Sequence, residues 1–142
     1  MLRIVAFIAI ASFSIFALAC GSGAGTGTTN AGKPIKSGQA GNLTVTISNS
    51  DGVLRKGKQD FTVTFTDAAG KPVDVGAASL TFHMPAMGSM SAMNNPAALT
   101  TTGTAGVYKA SADIEMSGEW QAQITFDGQA GKGKASLPIT AQ

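Results

Sequence analysis

Cysteine is nearly missing from this chain: one residue, Cys20, in 142. A single thiol closes no internal disulfide and assembles no thiolate metal site, which excludes disulfide-stapled scaffolds and cysteine-based zinc modules. Charge is sparse too, at 13% of residues, and it is scattered without runs. With Arg3 set aside, nine basic residues face eight acidic ones, which leaves no electrostatic footprint for nucleic acid. Histidine occurs once, at His83, and neither a serine nor a cysteine stands with it in a recognisable nucleophile motif, so the chain is not read as an enzyme. The carboxylates Asp113 and Glu115 fall on the outward face of an alternating segment, where they read as solvated strand residues and not as an acid/base pair. Beyond the first twenty residues no segment sustains a 3.6-residue apolar period, which excludes a helical domain.

What the chain does have begins at its N-terminus. Arg3 gives a positive start, Ile4 to Phe16 form an almost unbroken apolar run, and Ala17-Leu18-Ala19 is a small-residue approach to a cleavage point, so residues 1–19 are expected to be an export signal. The apolar run is shorter than the roughly 20 residues that a bilayer-spanning helix needs. Ala17-Leu18-Ala19-Cys20 resembles a lipobox, although leucine usually stands where this chain has Ala17. Cys20 is therefore the expected lipidation site. That makes the protein an extracytoplasmic lipoprotein on the periplasmic side or cell surface of a bacterial membrane, with the anchor as one partner. From Gly21 to about Gln39 the composition is small and polar, too poor in apolar groups to repay the entropy of ordering, and is expected to be a flexible tether (20–39 with the cysteine).

The remaining residues, 40–142, suffice for one core. Leu43, Val45 and Ile47 alternate with Thr44, Thr46 and Ser48, and Phe61, Val63 and Phe65 alternate with threonines. The sets Leu80/Phe82/Met84, Tyr108/Ala110/Ala112/Ile114, Trp120/Ala122/Ile124/Phe126 and Ala135/Leu137/Ile139 repeat the period of two, with Pro138 marking an edge. Short strands at this spacing predict an all-β, immunoglobulin-like sandwich of about seven strands with Trp120 between the sheets.

Four of the six methionines and the only histidine fall within Phe82 to Met93. Thioether sulfur is soft and uncharged and suits Cu(I), and imidazole is its commonest borderline companion. His83, Met84, Met87, Met90 and Met93 are the candidate ligands. Pro85, Gly88 and Pro96 argue against a helix here. A continuous strand would send residues three apart to opposite faces, so a flexible loop leaving the sheet after Met84-Pro85 is expected to gather the sulfurs. Met84 suits the core equally well, and Met116 falls in a turn that approaches the same end. The alternative is that the methionines plug the sandwich end or form a pliable apolar contact surface for a protein partner, with no metal.

Leu80-Thr81-Phe82-His83-Met84-Pro85-Ala86-Met87-Gly88, followed by Gly106-Val107-Tyr108 and Met116-Ser117-Gly118-Glu119-Trp120, resembles the YtkA-like family, which is related to FixH-like proteins. The similarity covers about residues 40–140. It implies a small exported immunoglobulin-like domain associated with copper handling, either in haem-copper oxidase assembly or in heavy-metal efflux, and hence a copper-handling protein partner. Met84 and Met87 match the family's Met-Pro-x-Met motif, whereas His83, Met90 and Met93 are additions of this chain.

Overall fold

The computed structural model describes residues 32–142. The signal segment, Cys20 and the first part of the tether lie outside the described residues. Eight strands run antiparallel: β1 (Lys33–Ala40), β2 (Leu43–Asn49), β3 (Gly57–Thr66), β4 (Ala77–Met84), β5 (Met93–Thr101), β6 (Val107–Ile114), β7 (Gly118–Gly128) and β8 (Gly131–Ala141). Their order is β1-β2-β3-β6-β5-β4-β7-β8. These strands form one continuous sheet that folds over at β5; with β1 set aside, β2-β3-β6-β5 make one layer and β4-β7-β8 the other, the places of the seven strands of an immunoglobulin fold.

The alternating sets do what their period requires. Every one of Val45, Ile47, Phe61, Val63, Phe65, Leu80, Phe82, Ile114, Trp120 and Ile124 is buried. Each such side chain is worth about 1.5–3 kcal/mol relative to exposure. Aromatic contacts join the sheets: Phe61 of β3 meets Phe82 of β4 at 5.5 Å between centroids, and Phe65 meets Phe126 of β7 at 5.4 Å. Trp120 is 1% exposed, and its indole N–H donates to the Met116 carbonyl at 3.0 Å. Pro138 lies on β8, the last strand in the order, where a missing N–H interrupts no central ladder.

Two strands differ from expectation. β1 occupies residues 33–40, so strand structure begins inside the stretch read as tether; it forms by pairing with β2 and not by burying an apolar stripe. β5 alternates in burial but not in residue type, because its inward positions include Asn95 and Ala97. It also changes sheet: Met93 to Ala97 pair with β4, and Ala98 to Thr101 pair with β6. The change comes between Ala97 and Ala98, and the buried Asn95 amide donates to the Asp113 carbonyl, a side-chain link to β6 where β5 has left the backbone ladder.

The connections divide the ends of the sandwich. The end of β4, the start of β5, the β6–β7 connection and the end of β8 lie together at one end, along with the start of β1. The β3–β4 connection and the start of β6 lie at the other.

Candidate functional site

The methionine segment is a tight hairpin and not a flexible loop. Met87 and Met90 face each other as a bridged pair, with Met87 N–H donating to Met90 O at 3.1 Å and Met90 N–H donating to Met87 O at 2.9 Å. Between them Gly88 adopts φ +58°, while no non-glycine residue described has positive φ, so Ser89 completes a type II′ turn. Glycine is required at the first central position of that turn. The turn also answers the objection that residues three apart diverge along a strand: across a two-residue turn, positions i and i+3 become cross-strand partners whose side chains project from the same face.

The same register continues down the hairpin. Met84 pairs with Met93 and His83 with Asn94. The five candidate ligands therefore fall on three levels. Met87 and Met90 at the tip are 51% and 39% exposed, the large apolar side chains that stand out in solvent among the described residues. Met84 is 1% exposed and belongs to the core, and Met93 is partly buried against that core. His83 lies half-buried on the outer face, as alternation requires.

The His83 ring is oriented by a neighbour that the sequence pattern did not single out. Its Nδ1 lies 2.7 Å from Asn94 Oδ1. A carbonyl oxygen only accepts, so Nδ1 carries the proton and the neutral ring keeps its lone pair on Nε2, the arrangement in which metal-binding histidines are commonly held. The signal for Asn94 was its position: it is as far beyond the Gly88-Ser89 turn as His83 is before it.

Other donors are scarce. Among the described residues no three His, Cys, Asp or Glu side chains come together as a metal-holding group, so the thioethers are the concentrated donor set. A cleft of about 450 Å³ opens beside the hairpin base between Pro85, Glu119, Trp120 and Leu54, and a second of about 650 Å³ runs along Phe61, Thr62 and Lys109. Neither cleft is lined by a methionine or by the histidine, which leaves the hairpin as the place where soft-donor chemistry is available.

A family model described as YtkA-like matches residues 37–125, from within β1 to near the end of β7, and encloses the entire hairpin. The chain belongs to the YtkA-like family. No curated protein and no solved structure matches it. In this YtkA-like chain the Met-Pro-x-Met run places its first sulfur in the core and its second at the hairpin tip, so one short motif supplies both a packing residue and an exposed donor.

Proposed function

We propose that this protein is a membrane-tethered extracytoplasmic Cu(I) carrier that holds its cargo on the β4–β5 hairpin and exchanges it with a copper-handling protein partner. The observation that carries the proposal is the Met87/Met90 pair: two thioethers in solvent, opposite each other across a turn fixed by two backbone hydrogen bonds. Two neutral sulfurs suit a monovalent soft ion and offer little to hard cations. Their exposure suits transfer, because a partner's ligand can approach the ion before either sulfur leaves. Neither sulfur needs deprotonation, so affinity contributed by the thioethers is nearly independent of pH; a pH-dependent component would mark His83 Nε2 as a further ligand. The export signal, Cys20 and the tether support a location at a membrane surface, and β1 enters the domain at the same end as the hairpin.

A Cu(I) competition titration of the full chain in detergent, beside a Met87→Leu/Met90→Leu variant, tests this. Leucine keeps the apolar volume and removes the sulfur. Binding that the variant loses supports the carrier; equal binding in both proteins rejects the hairpin tip as the site. The exposed pair also suits a docking surface for another protein. Partner capture that persists with copper chelated and both sulfurs replaced would favour that second function.

A further inference from the structure

The hairpin accounts for four methionines and leaves Met116 outside it. Apart from Met1, the chain's methionines are Met84, Met87, Met90, Met93 and Met116, and the fold collects all five at one end of the sandwich. Met116 sits in the connection between β6 and β7, more than twenty residues from Met93 in sequence, yet two independent contacts bring that connection to the base of the hairpin. The first is Gly118: a Cβ there would lie 3.2 Å from Met84 Cε, so the Met84 methyl rests against the β6–β7 connection. Gly118 also has φ +137°, which favours glycine, so the close approach is kept by backbone conformation as well as by space. The second is strand pairing: β4 pairs with β5 as Met84 with Met93 and with β7 as His83 with Gln121, so the end of β4 stands between Met93 and the start of β7, which Met116 precedes by two residues. Met93 and Met116 are both partly buried, and the Trp120 indole, donating to the Met116 carbonyl, pins the connection in place.

We infer that Met93 and Met116, with Met84 beneath them, form an inner thioether site for a second soft monovalent cation, below the outer Met87/Met90 pair. The inference rests on the proposal that this end of the domain handles Cu(I), and it adds a residue and a level to it. The surroundings select for charge as well as softness. An ion half-withdrawn from water among neutral sulfurs gives up solvation that rises with the square of its charge, so a divalent ion is penalised about four times as heavily as Cu(I) or Ag(I). Asp113, Glu115 and Glu119, the carboxylates nearest Met116 in sequence, are exposed, and among the described residues no charged side chain is buried with the methionines. An outer exposed pair and an inner half-buried set differ in access: the outer pair suits exchange and the inner set suits retention.

The test is a titration of the full chain in detergent with Ag(I), a redox-inert substitute for Cu(I), followed by NMR of [methyl-13C]methionine. The first equivalent should move the Met87 and Met90 methyl signals and the second the Met93 and Met116 signals. Met116→Leu should weaken the second event by about tenfold or more and leave the first unchanged. Met93→Leu gives the same test if Met116→Leu does not fold. Met93 and Met116 signals that stay in place at saturating Ag(I) would overturn the inner site even if the outer pair binds. Movement of the inner signals alone would instead reject the tip and keep the inner site.

Discussion

The two ends of the sandwich are closed by different chemistry. At the end away from the hairpin, hydrogen bonds do the closing. The Tyr108 hydroxyl donates to Asp74 Oδ1 at 3.0 Å and lies 3.1 Å from the Gly76 carbonyl, Asp67 Oδ1 accepts from the Ala69 and Lys71 amides, and Gly106 lies against the Val73 backbone. At the hairpin end hydrogen bonds hold the β2–β3 connection, where the Asn49 amide donates to the Val53 carbonyl and Arg55 pairs with Asp51, but a sulfur-rich set is added that the other end lacks: Met84 is fully buried beside Leu54, Met93 and Met116 are half-buried, and Met87 and Met90 project beyond them. Directional bonds fix one geometry. Thioethers pack adaptably and keep a lone pair that packing does not consume. A domain that needs both a stable frame and a replaceable ligand can keep them at opposite ends.

If that division holds, substitutions at the two ends should fail in different assays. Met87→Leu/Met90→Leu should weaken Cu(I) binding about 1,000-fold, about 4 kcal/mol, since losing even an outer-shell partner of a metal costs roughly 10–100-fold and two direct ligands are removed. Its unfolding free energy should stay within about 0.5 kcal/mol of the parent, as expected for surface positions. Met84→Ala should show the opposite balance near the same end: about 3 kcal/mol of stability lost to lost burial and a cavity in urea unfolding, with the tip pair still able to bind Ag(I).

At the far end, Gly106→Ala should cost about 2 kcal/mol or more, because its φ of +73° disfavours a side chain and a Cβ would lie 2.6 Å from the Val73 backbone. Cu(I) affinity should not change. A drop in affinity would mean that the two ends are coupled.

The smallest effect concerns pH. The Gly76 amide, and then the Tyr108 hydroxyl, hold the Asp74 carboxyl below its usual range; burial first, and then Asp74, push the Tyr108 hydroxyl up. Folding favours ionised Asp74, so that contribution is complete above the ordinary carboxylate range and fades as pH falls through the lowered value. Folding favours the protonated phenol, so that contribution is complete below the ordinary tyrosine value of about 10 and is lost as pH rises through the raised one. Tyr108→Phe should lower the melting temperature by a few degrees at neutral pH and flatten the alkaline limb of its pH profile, with metal binding unchanged.

Much of the frame was legible in the residue pattern. β2, β3, β4, β6, β7 and β8 carry apolar side chains at every second position, and that signal survives without any knowledge of the neighbours. β5 was not legible because its inward positions hold Asn95 and Ala97, whose roles exist only once β4 and β6 flank them; β1, with Lys, Ser and Gln along it, is a strand because β2 offers it an edge. At the site, the donor types were plain in the sequence and their arrangement was not. A spacing of three looks unfavourable along a strand and becomes a facing pair once Gly88-Ser89 is recognised as a type II′ turn. Asn94 depends on cross-strand register, which a reading along the chain does not supply, whereas the turn that holds Met116 already pointed to the same end.

The most direct test of the central claim is X-ray absorption at the copper edge on the full chain loaded with one equivalent of Cu(I). The account predicts a first shell dominated by sulfur, whose sulfur contribution falls when Met87 and Met90 are both changed to leucine and falls further when Met93 and Met116 are changed as well. A sulfur-free shell in the parent protein would contradict it.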